Sequence, residues 1–317
     1  MTRPAIQATV ALLLAAAAHT QPDLGGRVGA AFRLGFSAEG MGMGNALVAV
    51  VGRDVDPIMN PSIAPFQRTP VISAGAAFFA LDRSIQTLSY AAPLPPTAGI
   101  ALSLQRVSVG NIDGRDRNGV PTEKLRVSEN VIALSFGLRP APALTLGVTA
   151  KLLYAQMVEG LTSTTVGLDF GATYLVMEDL RIAVAARDVN SKYRWDTAAL
   201  YGRQGRQTTD AFPTRLIVGV SYSPSFLPAL LSVEGESVAG GFMARTGVEA
   251  RLHPMLRVRS GLDALDPSGT LGARWSAGAS VEATGLTWNP SFDYCFILEP
   301  YAPGGAHMLT IRLHIRE

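Results

Sequence analysis

The sequence predicts an all-β protein: a 14-stranded antiparallel transmembrane β-barrel with an N-terminal hatch segment. Composition is the first of three observations behind this prediction. Of the 317 residues, 48% are hydrophobic and 16% are charged, and the mean hydropathy is +0.22, which is high for a soluble protein of this charge content. Past the N-terminus we find no uncharged apolar run of the ~18 residues that a spanning helix needs. A helical membrane protein is therefore excluded.

Alternation of side chains is the second observation. After about residue 69, apolar residues alternate with polar or small ones, which indicates strands with one apolar face. In one such segment, the apolar face consists of Leu144, Leu146, Val148, Ala150, Leu152 and Tyr154. The pattern predicts 14 strands, at about 70–80, 84–92, 97–107, 126–138, 142–155, 162–175, 179–188, 213–223, 228–236, 242–252, 255–263, 270–282, 284–297 and 306–316.

The lengths of the connections are the third observation. Short links, such as 139–141 and the single residue Ala283, alternate with links that are longer on average, notably 108–125 and 189–212. Transmembrane barrels alternate short periplasmic turns with longer outer loops in this way. The segments 108–125 and 189–212 are therefore predicted to be cell-surface loops.

A soluble sandwich or propeller is the alternative fold, because its strands alternate as well. Charged residues that share one face of a strand, such as Arg245, Glu249 and Arg251, do not decide which face is inside. An apolar face on 14 strands without a covering layer of helices needs a large partner surface, and lipid supplies one. We therefore favour the barrel, with outer-membrane lipid as its partner.

The N-terminus has the order of features found in a secretory signal peptide. Arg3 is followed by an apolar core at 8–18 and then by small and polar residues. A buried N-terminal helix is the alternative. The predicted division is a signal peptide at 1–20, a hatch or plug segment at 21–68 and a barrel at 69–317, in the bacterial outer membrane.

The sequence lacks the motifs that are typical of nucleic-acid binding, of hydrolases and of dinucleotide binding. The net charge is +2 and the basic residues are scattered, so no nucleic-acid partner is expected. Neither Gly-x-Ser-x-Gly nor His-Glu-x-x-His occurs, and the glycine-rich run at 40–45 does not match a dinucleotide fingerprint. We expect no enzyme activity, no cofactor and no metal site.

The segment before the barrel carries short phrases in a distinctive order. A Gly-Met-Gly-Met-Gly run that includes Gly42 and Gly44 is followed by Ala-Leu-Val-Ala-Val and then by Asn60-Pro61. Later phrases continue the series to Phe292-Asp-Tyr294. In this order they resemble the PorV/PorQ family of outer-membrane proteins, which are relatives of the FadL-type long-chain fatty-acid channels. The resemblance implies a 14-stranded barrel with a hatch, although the chain ends in Ile315-Arg-Glu where such proteins carry a terminal aromatic residue.

The resemblance implies two functions. The first is a component of a type IX-like export and surface-attachment system, which would bind secreted passenger proteins or secretion-system subunits through 108–125 and 189–212. The second is a passive channel for long-chain fatty acids or other hydrophobic solutes. In that case luminal arginines would hold the carboxylate of a fatty-acid-like ligand; the candidates are Arg181, Arg215, Arg245 and Arg274. An unligated structural barrel is the third hypothesis.

Overall fold

The computed structural model of the chain describes residues 26–315, except 53–54, 159, 268–271, 284, 287, 301 and 303. The predicted signal peptide at 1–20 lies outside the described residues. Fourteen antiparallel strands close into one barrel, so the predicted fold is confirmed. The first seven are β1 (Val71–Phe79), β2 (Arg83–Leu94), β3 (Ala98–Arg115), β4 (Pro121–Ala141), β5 (Leu144–Val158), β6 (Leu161–Leu175) and β7 (Leu180–Val189).

The 190–214 link that follows β7 contains a separate two-stranded hairpin of β8 (Lys192–Asp196) and β9 (Gln207–Ala211). The barrel then continues with β10 (Arg215–Tyr222), β11 (Ala229–Val238), β12 (Gly241–His253), β13 (Leu256–Leu265), β14 (Arg274–Glu282), β15 (Ser291–Leu298) and β16 (Ala306–His314). β7 pairs with β10, and β16 pairs with β1. Closure leaves no free sheet edge, which is the condition for a sheet to cross a bilayer.

The two faces of the barrel wall have opposite chemistry. On β5, Leu146 and Leu152 point outward and are exposed, whereas Thr149 and Lys151 point inward and are buried. The same division recurs around the barrel, where the exposed large side chains of the wall are mostly Leu, Val, Ile, Phe and Tyr. The apolar face is thus the outside of the barrel, as a lipid-facing wall requires.

Three predicted connections differ from the structure. Most of the 108–125 segment is paired β-strand and not loop. β3 and β4 stay hydrogen-bonded to each other past two register shifts, as far as Arg115 and Pro121. The 189–212 segment is folded, with β8, β9 and a short helix, α2 (Ala198–Tyr201). The predicted turn at Ala283 is wrong. Trp288 and Asn289 adopt positive φ angles of 70° and 34° there, a conformation that breaks a strand.

The N-terminal segment, residues 26–70 apart from 53–54, packs for most of its length against the inner face of the barrel and is called the luminal segment below. It contains a short helix, α1 (Ala38–Gly42), whose N-cap Ser37 accepts a hydrogen bond from the Gly40 amide. It also contains a 3₁₀ helix, Pro61–Phe66. Inward-facing side chains from strands on several sides of the barrel hydrogen-bond to it. Opening of this segment as a hatch stays a prediction.

A row of glycines on the inner wall lets the 3₁₀ helix pack closely against β3–β6. Gly99, Gly137, Gly147 and Gly171 are consecutive register partners across β3, β4, β5 and β6. A methyl group on Gly137 would lie 2.6 Å from the Pro61 carbonyl oxygen, and one on Gly147 would overlap the Pro61 carbonyl group. Only a wall without side chains at these positions lets the backbone of the luminal segment approach so closely.

The residues of the predicted hatch motif have separable roles. Asn60 caps the 3₁₀ helix by accepting from the Ser62 amide and donates to the Val48 carbonyl oxygen at 2.7 Å. Pro61 is the first residue of that helix, where a missing N–H costs nothing. Gly44 has a φ of 60°, and a methyl group there would lie 2.6 Å from the Leu262 carbonyl oxygen. At Gly42 a methyl group would make only ordinary contacts.

Candidate functional site in the barrel lumen

Buried ion pairs cover one side of the lumen. At its centre, Arg215 Nε lies 2.6 Å from Glu236 Oε1, and Arg215 Nη2 lies 2.9 Å from Glu236 Oε2. Arg245 contacts Glu236 at 2.6 Å and Asp263 at 2.7 Å. All four side chains are at most 5% exposed. Charges this deeply buried need partners, because an unpaired charge would lose its hydration without compensation.

The pairs extend in both directions along the wall, and we call the whole set the luminal ion-pair network. Towards β5, Lys151 contacts Asp169 at 2.6 Å and also pairs with Asp188. Towards β16, Arg259 contacts Glu249 at 2.6 Å and Asp293 at 2.9 Å. Each of these positive groups thus has a carboxylate partner on an adjacent strand, which explains how so much charge is kept inside the barrel.

The network also fastens the luminal segment to the wall. Glu39 on α1 contacts Arg312 at 2.7 Å. The Asn45 side chain donates to Asp263 at 3.1 Å, and the Val48 amide donates to Glu234. These three contacts attach residues 39–48 to β16, β13 and β11. Displacement of this stretch would leave several buried polar groups without partners.

The structure brings together three of the four predicted arginines. Arg215, Arg245 and Arg274 are joined through Glu236 and Asp263, with Arg274 Nη2 lying 2.5 Å from Asp263. A ligand carboxylate would have to compete with these acidic side chains, so the ligand-binding role stays a prediction.

Arg181 lies apart from these arginines. It is near the opposite end of β7, where its Nη2 donates to the Glu178 carbonyl oxygen at 2.9 Å. Its ligand-binding role likewise stays a prediction.

Two acidic residues at the centre of the network, Glu234 and Glu236, were missed by sequence reasoning. Glu234 and Glu236 are two residues apart on β11, and β12 follows after a turn at 239–240. Alternation therefore places both glutamates on the inward face, and the hairpin register puts Glu234 opposite Arg245. That signal was present in the sequence, but the prediction named acidic residues such as Glu249 only as members of a charged face and did not pair Glu234 and Glu236 with the arginines.

Arg33 of the luminal segment lies beside the network. Burial, and then the nearby positive charge of Arg215, lower the pKa of Arg33 from 12.5 to about 10. Its Nη2 is buried without a hydrogen-bond partner in the structure. The space that Arg33 shares with Arg187 and Glu234 has a volume of only about 20 Å³, enough for a water molecule and too small for an organic ligand.

A larger cavity lies on the opposite side of the luminal segment, against β2, β3 and β4. It has a volume of about 280 Å³. The lining is mainly apolar and includes Leu34, Phe79, Ile85, Val107 and Val127. Arg83 and Glu129 are the charged residues of its lining. We call it the apolar cavity.

The 190–214 link covers part of the luminal segment. Tyr193 is fully buried and its hydroxyl donates to Glu129 at 2.7 Å. Its ring packs edge to face on Phe212 with a centroid distance of 5.0 Å, and both contact a cluster that includes Phe36 and Ile58. Both ends of the predicted surface loop therefore pack against the luminal segment and the inner wall, while Tyr201 on α2 is exposed.

Two further features are absent from the described residues. That part of the chain holds no group of three or more His, Cys, Asp or Glu side chains able to bind a metal ion. None of its helices is long and apolar enough to cross a membrane.

Comparison with known proteins finds similarity in structure only. No protein-family description matches the chain, and neither does any curated protein. The Ralstonia pickettii toluene transporter TbuX matches with a TM-score of 0.64 and 14% identity, over 90% of this chain and 100% of that one. The chain shares the fold of this transporter.

Two further solved structures agree. The Pseudomonas putida toluene transporter TodX matches with a TM-score of 0.61 and 12% identity, over 88% of this chain and 96% of that one. A Pseudomonas aeruginosa FadL homologue matches with a TM-score of 0.61 and 10% identity, over 89% of this chain and 98% of that one. The 14-stranded barrel implied by the sequence phrases is thus confirmed, and its fold is shared with two toluene transporters and a FadL homologue.

Proposed function

We propose that this protein is an outer-membrane channel for small hydrophobic solutes. The observation that carries the proposal is the apolar cavity of about 280 Å³ between the luminal segment and β2–β4, inside a barrel with an apolar outer face. A cavity of ~150 Å³ lined by apolar side chains is enough to bind benzene. The cavity therefore has room for a substituted single aromatic ring.

The charge distribution supports an uncharged solute. The arginines of the luminal ion-pair network are engaged by carboxylates, whereas the lining of the cavity is mainly apolar. Binding there would draw on the burial of apolar surface, at roughly 25 cal/mol per Å². TbuX and TodX, which share the fold, are described as toluene transporters.

Uptake of radiolabelled toluene tests the proposal, in cells that lack other hydrocarbon channels. Wild-type protein should raise the initial uptake rate above that of cells with an empty vector. Val107→Trp should reduce the rate because the indole fills the cavity. Leu102→Trp is the matched control, since Leu102 is on the outward face of the same strand and 44% exposed. Equal uptake by wild-type and empty-vector cells would refute the channel.

In a variant of this proposal, the transported solute is a long-chain fatty acid, and the luminal arginines bind its carboxylate. Oleate binding to the detergent-solubilised protein distinguishes the two solutes. Arg215→Gln and Arg245→Gln should each weaken oleate binding and leave toluene binding unchanged if the fatty-acid variant holds. Unchanged oleate binding in both would exclude the role of these arginines.

The export hypothesis receives no support from the comparisons, and the PorV/PorQ assignment rests on the sequence phrases alone. Exposed positions on the 190–214 link, such as Tyr201, are the surface that a passenger protein could contact. Exchange of this link for an unrelated one should block passenger release if the hypothesis holds.

A further inference from the structure

Two arginines lie on the outward face of the barrel wall beside its apolar rows, whereas the buried charged residues of the wall face inward. The arginines of β7 and β10–β16 occupy inward positions, and most are paired in the luminal network. Arg106 on β3 and Arg126 on β4 occupy outward positions on adjacent strands and are exposed. Among the described residues, neither guanidinium group has an ion-pair or hydrogen-bond partner.

Arg106 and Arg126 lie directly beyond the last row of apolar side chains on the outward face of β2–β4. In the register of β2, β3 and β4, the outward row Leu88–Leu104–Ile132 is followed by the row Gln86–Arg106–Asn130. The next row contains Ser84 and Ser108, whose hydroxyls are 3.0 Å apart. The wall therefore changes from apolar to polar within one row, as it does where hydrocarbon gives way to lipid headgroups.

Arg106 and Arg126 line one shallow cavity of about 610 Å³ on the outside of the barrel. Arg83 adds a third positive charge at its edge and Asp82 a negative one, so these four residues leave an excess of two positive charges. Arg106 and Arg126 are separated by four strand residues, because Arg106 pairs with Asn130. At ~3.3 Å per residue, this places two guanidinium groups along ~13 Å of the wall.

The end of the barrel that carries this cavity is the β3–β4 hairpin end, opposite to the chain ends at β1 and β16. In outer-membrane barrels the longer extensions are on the outer side. Arginine suits a position between apolar surface and lipid headgroups. Its alkyl stem can lie along the apolar surface, while its planar guanidinium group can bind two oxygens of one phosphate at once.

We propose that Arg106 and Arg126 form a binding site for a phosphorylated lipid headgroup in the outer leaflet of the membrane. The acyl chains would lie along the outward apolar rows of β2–β4, and the phosphates would contact the two guanidinium groups. The site rests on the membrane position proposed above; Arg83 borders both this outer cavity and the apolar cavity, but Arg106 and Arg126 do not line the apolar cavity.

Native mass spectrometry of the full chain in a nonionic detergent tests the site, with diphosphoryl lipid A as the probe. The double variant Arg106→Gln/Arg126→Gln should bind the lipid about tenfold or more weakly, because two charge-assisted contacts are lost. The control is Arg194→Gln/Arg203→Gln, which removes the same charge from exposed positions of the 190–214 link. It should bind like wild type.

Three results would overturn the site: no lipid retained by wild type, equal losses in both double variants, or displacement of the lipid by inorganic phosphate at matched concentration. The last result would assign the arginines to free phosphate. Toluene uptake by Arg106→Gln/Arg126→Gln separates this site from the proposed function, since uptake should persist whether or not lipid binds.

Discussion

The two sides of the lumen hold the luminal segment by different forces. On the side of β10–β16, buried ion pairs and charged hydrogen bonds attach residues 39–48 to the wall. On the side of β2–β4, most contacts of the luminal segment with the wall are apolar or uncharged, Asp56 being the acidic exception that accepts from Ser103, and Leu34 and Val107 both line the apolar cavity. The comparison indicates that the charged side fixes the segment, whereas the apolar side leaves room for a solute.

The largest expected effect comes from Glu236 on the charged side. Glu236→Ala leaves Arg215 and Arg245 buried without their shared carboxylate, and should lower the free energy of unfolding by roughly 3–5 kcal/mol. Urea unfolding in detergent micelles measures it.

Asp113→Ala is the control for Glu236→Ala. It breaks the Lys124–Asp113 pair, whose side chains are 63% and 62% exposed, and should cost about 0–1 kcal/mol. Similar losses for both variants would contradict the assigned role of the network.

The glycine row gives the next largest effect, because it sets how closely the luminal segment approaches β3–β6. Gly147→Ala places a methyl group into the Pro61 carbonyl group, and overpacking of this kind costs roughly 1–3 kcal/mol. We expect the 3₁₀ helix to shift, which should increase the single-channel conductance in planar bilayers. Gly110→Ala meets nothing within 4 Å and should leave conductance unchanged; a change there as large as at Gly147 would exclude this explanation.

The smallest effect concerns Asp56, which faces the apolar side. Its Oδ1 accepts from Ser103 Oγ at 2.6 Å and from the Ile58 amide at 2.9 Å, and burial raises its pKa above 3.8. A raised pKa in the folded state means that protonated Asp56 stabilises the fold. This contribution is present at acid pH and is lost as the pH rises through the folded pKa.

Asp56→Asn removes that titration and should become progressively more stable than wild type as the pH is raised from 4 to 8. Thermal unfolding at each pH gives the comparison. Parallel curves for the two proteins would show that Asp56 does not titrate in this range.

The strands were predictable because each needs only a local signal. On β5, the apolar side chain at every second position of the sequence is the one that faces outward in the structure. The connections were harder. The β3–β4 ladder continues through two register shifts, which disturb the period of two, and the fold of 190–214 depends on contacts of Tyr193 and Phe212 with residues far away in the chain.

The candidate site was predictable only in part. Alternation placed Arg215, Arg245 and Arg274 on the inward face, but their pairing with Glu236 and Asp263 depends on the register between strands. The apolar cavity depends on how the luminal segment sits in the barrel. No periodic pattern in 26–70 specifies that position, which is set by the glycine row and the ion-pair network together.

The position of a bound solute tests most directly the claim that the apolar cavity is the solute-binding site. A crystal structure of the protein soaked with bromobenzene would show the halogen by its anomalous scattering. We predict a bromine peak in the apolar cavity, in contact with Leu34, Ile85 and Val107. A peak among the arginines of the luminal ion-pair network, with the apolar cavity empty, would contradict the claim.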